Sequence, residues 1–552
     1  MRRSVLVPLV ATAALAAASA LAGTPSAAAS PSMARHGKSS TPRVVGPFKH
    51  LVVIYQENHS FDNLYGGWGR VGGQRVDGLQ KARPRTTIQR AQDGTPYRCL
   101  LQVDVNLTSP TPLPSTCSDP AHGVPASAFR NRPFRIDDYI KPLDTTCPDP
   151  SKGPAPANGV LKGDGLPGGC TRDLVHRFYQ EQYQIDGGRQ DRYVTGSDAV
   201  GLTMGVYDTK QLPIYRYLHS KGAPNYVVAD HFFQAAFGGS FLNHQYLVAA
   251  RAPIDTDPAA VSRGTGDLHS VVDTNGFPNT YPLYKPTTTV ADKQLTQACG
   301  LATTNPAVAC GDYAVNTIQP ANQPRAATGA VLPLVDASKY PTIGDRLMAA
   351  GVSWNWYSGG WNDAAAGHPG KLFQYHHQPL NYFSSFAPRQ PGRDHLRDET
   401  EFLDAAHGGT LPTVSFVKPY GAENEHPGYA SEPNGSDHLV DLLQAITTGP
   451  QADDTLVVVT YDEFGGQWDH VPPPGSHSRT HDVHDAFGPG TRIPALLVST
   501  SLRRSGVDHT VYDTTSILAT IERGLGLAPL SSRDARVADL RHALRVGGVR
   551  RS

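Results

Sequence analysis

The segment His50-Leu-Val-Val-Ile-Tyr-Gln-Glu57-Asn58-His59-Ser60-Phe61-Asp62 decides how this chain is read. A short run of aliphatic and β-branched residues predicts a strand buried on both faces, as in a parallel sheet. The run ends in a carboxylate and an amide, Glu57 and Asn58. Far along the chain the same grammar returns as Leu456-Val-Val-Val-Thr-Tyr-Asp462-Glu463-Phe-Gly465-Gly466-Gln-Trp-Asp469-His470-Val471-Pro472. That run ends in two carboxylates. Open α/β sheets place their chemistry where parallel strands finish. Two strand ends bearing hard oxygen ligands are what a shared divalent-metal site needs.

The surrounding pattern is α/β. Strands are predicted over Leu51–Tyr55, Tyr226–Ala229, Ser353–Tyr357, Thr413–Val417, Leu456–Tyr461 and Ala495–Thr500. Helices are predicted over Leu212–His219, Gly344–Ala350, Arg397–His407, Asp437–Thr447 and Thr514–Leu525. Strands interleaved with helices imply a mostly parallel central sheet flanked by helices. Residues 70–172 and 252–330 break this alternation. Both are rich in Pro, Gly, Ser and Thr, and together they hold all six cysteines: Cys99, Cys117, Cys147, Cys170, Cys299 and Cys310. Pairing of sequence neighbours would make them disulfide-tied loop insertions that shape a substrate entrance. No C-x-x-C spacing occurs, which argues against a zinc knuckle.

The chain has 552 residues, with 49 Lys+Arg against 49 Asp+Glu. A balanced chain lacks the basic excess of an electrostatic nucleic-acid binder. Met1-Arg2-Arg3, the apolar Val5–Leu21 and small-residue sites at Ala20-Leu21-Ala22 and Ala27-Ala28-Ala29 read as a secretory signal peptide over 1–29. The Arg2-Arg3 pair reads either as a twin-arginine export signal or as ordinary leader charge. Residues 30–46 read as a disordered linker, 47–530 as one catalytic domain and 531–552 as a C-terminal tail. The protein is therefore expected to be secreted or extracytoplasmic.

A third element is Ala236-Phe237-Gly238-Gly239-Ser240-Phe241-Leu242-Asn243-His244. Ser240 follows two glycines and opens an apolar helix, where backbone N–H groups and the helix dipole favour a phosphate. A serine hydroxyl there that also touches a metal would act as a nucleophile; the bland alternative is an ordinary N-cap. The segment is not a G-x-S-x-G elbow, so serine-hydrolase chemistry is not signalled. Histidines gather in polar loops: His176, the tandem His376-His377, and His426. Such residues bind phosphoryl oxygens or protonate leaving groups, although a single histidine is more often structural.

Taken together, Glu57-Asn58-His59-Ser60-Phe61-Asp62 with Gly66, Ser240 with Asn243, Asp462-Glu463-x-Gly465-Gly466-x-x-Asp469-His470-Val471-x-Pro473 and Gly490-Thr-Arg492-Ile-Pro494 resemble a family of bacterial phosphoesterases. That family groups phosphatidylcholine-hydrolysing phospholipases C with acid phosphatases on an alkaline-phosphatase-like α/β fold. The resemblance implies one divalent metal ion (Ca, Mn, Mg, Fe or Zn) held by Glu57, Asn58, Ser240, Asp462 and Glu463. It implies Ser240 as nucleophile, Asn243 as a ligand of a phosphoryl oxygen, and His176, His376, His377 and His426 around the phosphate, one of them the leaving-group acid.

The phospholipase branch typically reads Thr-x-Pro-Asn-Arg at the nucleophile, whereas this chain reads Ser240-Phe-Leu-Asn243-His244, which looks more like the acid-phosphatase branch. The leading expectation is thus a secreted, metal-dependent phosphomonoesterase working through a phosphoserine. The alternatives are a phospholipase C that removes phosphocholine or related head groups, and a catalytically inactive secreted binding protein. The expected partners are a small phosphate ester or a phospholipid, with no nucleic acid and at most peripheral membrane contact. No C/S-x-P-x-R setting exists for a sulfatase-type formylglycine.

Overall fold

Eight strands form one sheet in the computed structural model, which describes residues 43–108, 111–252, 281–285, 334–475, 485 and 487–550. The expected signal peptide, Cys299 and Cys310 lie outside the described residues. In chain order the strands are β1 His50–Gln56, β2 Asn225–Ala229, β3 Trp354–Ser358, β4 Leu396–Asp398, β5 Val414–Lys418, β6 Thr455–Tyr461, β7 Ala495–Ser499 and β8 Gly506–Asp508. Their spatial order is β4-β3-β5-β1-β6-β7-β2-β8. β7 is antiparallel to both neighbours, and every other pairing is parallel. Every residue of β1 and β6 is buried, as their unbroken apolar runs require.

Helices cover the sheet. Each predicted helix is present, four of them within two residues of their expected limits and one starting five residues early at Glu432: Pro213–Leu218, Ile343–Ala349, Glu399–Gly408, Glu432–Thr447 and Thr515–Leu525. Their starts follow local chemistry. Thr342 with Asp345, and Asp398 with Glu401, form reciprocal capping boxes that satisfy the first-turn N–H groups. Glu399–Gly408 packs on β3, β4 and β5. The segment expected as a tail instead carries two short helices, Ser532–Arg536 and Arg541–Gly547. The second packs on β2 and β8, and Leu540, Ala543 and Leu544 are buried there.

Residues 70–172 add no strand to the main sheet. Short two-stranded ladders hold them, such as Cys117–Asp119 with Val124–Ser127, together with the disulfides Cys99–Cys117 and Cys147–Cys170. Two of the three neighbour pairings expected from the sequence are therefore present. Among the described residues no helix is long and apolar enough to cross a membrane.

Candidate active site

The two carboxylate-bearing strands are sheet neighbours. β1 and β6 pair in parallel from His50↔Thr455 to Gln56↔Tyr461, so Glu57 and Asp462 leave the sheet side by side. The turn after β1 places Asn58 at φ 58°, and the Asn58 N–H donates to Asp462 Oδ1 at 3.2 Å. Gly465 lies in the left-handed region, where a Cβ would overlap the Asn58 carbonyl oxygen. Only a glycine at this position lets the two motifs touch.

Ser240 is the first residue of the helix Ser240–Ala249, with Gly239 as its N-cap. Its Oγ stands 3.3 Å from Glu57 Oε2, 3.3 Å from Asn58 Oδ1 and 3.3 Å from Glu463 Oε1. One hydroxyl has one proton, so three equidistant acceptors describe a cage of oxygens rather than a single hydrogen bond. The loop before the helix is fastened by Glu181. Glu181 Oε2 accepts from the Gly238 N–H at 2.6 Å and from Gln234 Nε2 at 2.9 Å, while its Oε1 accepts from the Thr491 N–H at 2.6 Å.

Charge in this cage is unbalanced. Glu57, Asp462 and Glu463 are all fully buried. Burial works to raise the Glu57 carboxyl, but the Lys418 ammonium and the His377 ring hold it well below the usual carboxylate range. Lys418 Nζ pairs with Glu57 Oε1, and His377 Nε2 lies 2.8 Å from the same oxygen. Among the described residues neither of the other two acids forms an ion pair with a lysine or arginine. Burial, with the Glu57 charge behind it, pushes Asp462 up to about 8. Burial and then Asp462 push Glu463 well above its ordinary value. Asp462 Oδ2 is buried without a hydrogen-bond partner, and His244 Nδ1 stands 3.7 Å from it. Three carboxylates, an amide oxygen and a hydroxyl around one point, with one oxygen unsatisfied, fit a divalent cation with hard ligands.

A cleft of about 510 Å³ opens onto Ser240. His176, His376, His377 and His426 all line it, as do Asp173, Tyr281 and Tyr429, and residues 154–157 of the first insertion form part of its wall. His176 Nε2 stands 3.4 Å from Glu463 Oε1. His426 Nδ1 donates to the Pro427 carbonyl at 2.7 Å, which leaves Nε2 to accept from Asn58 Nδ2 at 2.8 Å. Burial holds His426 below its ordinary pKa, in keeping with a neutral ring. His426 thus orients a cage residue, and its one ring proton is committed to the Pro427 carbonyl. His376 makes no hydrogen bond among the described residues, and its Nδ1 is buried without a partner.

Asn243 is not brought to the cleft. Its Nδ2 donates to the carbonyls of Ala236, Gly238 and Gly239 at 3.1–3.2 Å, and its Oδ1 accepts from the Ala236 N–H at 2.9 Å. The amide is committed to the loop that presents Ser240, so the expected contact with a phosphoryl oxygen is corrected to a positioning role. Three residues that hold the site escaped the sequence reading. Glu181 and His244 sit inside helices and look like ordinary polar residues. Lys418 left a signal, as a lysine closing the apolar run Val414-Ser-Phe-Val417, where an exposed charge would be out of place.

A second set of contacts ties the motifs together behind the cage. The Asp62 N–H donates to Asp469 Oδ2 at 2.9 Å, and the His470 N–H donates to Asp62 Oδ2 at 2.8 Å. Arg492 Nε bonds Asp469 at 3.1 Å and its Nη2 bonds Asp62 at 3.1 Å. His470 Nδ1 lies 2.5 Å from Asp62 Oδ2. His470 is therefore held by carboxylates away from Ser240.

A serine at a helix N-terminus, caged by hard oxygen donors at the C-terminal edge of a mostly parallel sheet and faced by histidines, belongs to a phosphoric ester hydrolase. The chain is a member of the Phosphoesterase family, whose model matches residues 155–528. Phospholipase C B of Mycobacterium tuberculosis is 25% identical over 541 residues, covering 92% of this chain and 79% of that protein. Non-specific phospholipase C4 of Arabidopsis thaliana is 22% identical over 516 residues, covering 89% of this chain and 70% of that protein. A non-hemolytic phospholipase C of Burkholderia pseudomallei is 31% identical over a shorter 219 residues, 33% of this chain and 29% of that protein. Among solved structures, the PsFucS1 sulfatase from Pseudoalteromonas sp. overlaps 62% of this chain and 68% of its own, at 12% identity and a TM-score of 0.27. That overlap is too slight to add to the fold described above.

Proposed function

We propose that the protein is a phospholipase C-type phosphoesterase that cleaves the phosphorus–oxygen bond between a phospholipid's head-group phosphate and its glycerol. The observation that carries this is Ser240 Oγ, 3.3 Å from three cage oxygens at the floor of an open cleft. The named relatives that span most of the chain favour a phospholipid over the phosphomonoester expected from Ser240 and its neighbours. The wall favours it too. Tyr281, Tyr429 and Asp173 line the cleft with two aromatic rings and a carboxylate that would suit a cationic head group, and Arg177 in the same wall would suit its phosphate.

In this reading Ser240 Oγ attacks phosphorus while its proton passes to a cage carboxylate, Glu463 Oε1 or Glu57 Oε2. The bond from phosphorus to the glycerol oxygen breaks, and that oxygen takes a proton from His376, whose ring the protonated cage carboxylate reprotonates in the same step. Water then hydrolyses the phosphoserine, releasing the phosphorylated head group and restoring the Ser240 hydroxyl. Glu57, Asn58, Ser240, Asp462 and Glu463 would hold a divalent cation, which supplies Lewis-acid stabilisation of the charge that develops on oxygen. His176 and His377 lie beside Glu463 and Glu57 and hold those carboxylates in place. The leader read in residues 1–29 and the two disulfides support an exported protein.

The test is one preparation assayed against phosphatidylcholine vesicles and against an aryl phosphomonoester. Release of phosphocholine and diacylglycerol is expected. Turnover of the monoester with intact phosphatidylcholine would return the protein to the acid-phosphatase reading.

A further inference from the structure

The sheet has a second pair of adjacent parallel strand ends that carries ligand-type residues. β2 and β8 pair in parallel through Ala229↔Asp508. The chain leaves them as Asp230-His231 and as His509. Both imidazoles converge on one oxygen, with Asp230 Oδ1 lying 3.0 Å from His231 Nδ1 and 2.8 Å from His509 Nδ1. All three donor atoms lie within 4.8 Å of one another. Ligands held about 2.0 Å from a tetrahedral zinc stand about 3.3 Å apart, so a small outward movement of the rings admits an ion.

We propose that Asp230, His231 and His509 form a second divalent-metal site, of zinc type, that shares no residue with the Ser240 cleft. Its supporting shell is in place. His231 Nε2 faces Asp77 Oδ2 at 3.4 Å, so a proton on that nitrogen leaves the Nδ1 lone pair directed at the site. Asp230 Oδ2 accepts from the Asp77 N–H at 2.7 Å, which fixes the carboxylate and leaves Oδ1 for the ion. The His509 side chain is 47% exposed and provides the entry path and room for a water as fourth ligand. Two imidazoles and one carboxylate suit zinc better than calcium or magnesium, which favour all-oxygen shells. By contrast the three contacts of Ser240 Oγ in its cage, at 3.3 Å, are all to oxygens.

The experiment is zinc content of the full chain after dialysis against zinc, measured by elemental analysis for the wild type, His509→Ala and His509→Gln. Circular-dichroism melts verify that each variant is folded, and cobalt(II) absorption after substitution reads the nitrogen-containing site directly. Both variants should hold about one zinc equivalent fewer than the wild type and lose the corresponding cobalt band, with phosphoesterase activity retained. Equal zinc content and an unchanged cobalt spectrum in all three would overturn the proposal and leave Asp230, His231 and His509 as an ion-pair network only.

Discussion

Asn58 Nδ2 donates to His426 Nε2 at 2.8 Å, and that bond decides which end of the Asn58 amide faces Ser240. With the nitrogen committed to histidine, Oδ1 is left 3.3 Å from Ser240 Oγ. His426 thereby acts on the cage without touching the hydroxyl. Replacing His426 by Ala should lower metal affinity or activity by about 10–100-fold, the usual cost of losing a residue that orients a ligand. Excess divalent metal should recover part of the loss. A variant whose activity falls by orders of magnitude with unchanged metal affinity would instead mark His426 as a proton donor.

Ser240→Ala separates chemistry from structure. Ser240 is the first residue of its helix, directly after the N-cap Gly239, and alanine is a good helix former, so thermal stability should barely move. Turnover should fall by several orders of magnitude, as for other removed nucleophiles. Near-normal turnover on phosphatidylcholine would remove Ser240 from the mechanism.

Among the described residues, Lys418 is the lysine that pairs with Glu57 in the cage, and its side chain is fully buried. Lys418→Met would leave Glu57 without its principal counter-charge, a change that typically costs about 3–5 kcal/mol. Urea denaturation of metal-free protein should show that loss. Added divalent metal should restore more stability to the variant than to the wild type, since the ion then supplies the missing charge.

His470 gives a pH signature. Burial disfavours its charged form, but Asp62 and then Asp77 outweigh burial and lift its pKa to about 9. The folded value lies above the unfolded value of about 6.5. Its contribution to stability is therefore complete below pH of about 6.5 and disappears as pH rises through about 9. The melting temperature of the wild type should fall across that window relative to His470→Gln. Parallel curves for the two proteins would show that the pairing contributes nothing.

The Cys147–Cys170 bridge closes a loop that contains residues 154–157 of the cleft wall. Replacing both cysteines by serine should cost about 3 kcal/mol, by the chain-entropy argument for a loop of this length. The effect on catalysis should appear as a raised KM with kcat largely kept, because the cage itself is untouched. Equal KM values for the two proteins would detach the insertion from substrate binding.

Much of this was legible in the chain. The buried strands announced themselves through unbroken apolar runs, and all six predicted ones are in the sheet. Four of the cage residues, Glu57, Asn58, Asp462 and Glu463, were readable because they follow two of those runs directly. Asn243 was misread because sequence shows an amide near a nucleophile but not which partners reach it first. Glu181 was missed because a glutamate in a short helix carries no mark of burial. The last helix, Arg541–Gly547, was missed because its few apolar residues gain their meaning only against β2 and β8.

What the sequence by itself determined is local: where β1 and β6 run, that each is followed by oxygen-bearing side chains, and that Ser240 opens a helix. Periodicity and residue chemistry act over neighbouring positions, so they are written in the chain. The tertiary structure alone decided that β1 and β6 are adjacent and in register, which sets Glu57 beside Asp462. It also decided that His426 serves Asn58 and that Lys418 serves Glu57. Those pairings join residues far apart in sequence, and they follow from strand order and burial, which no short stretch of sequence encodes.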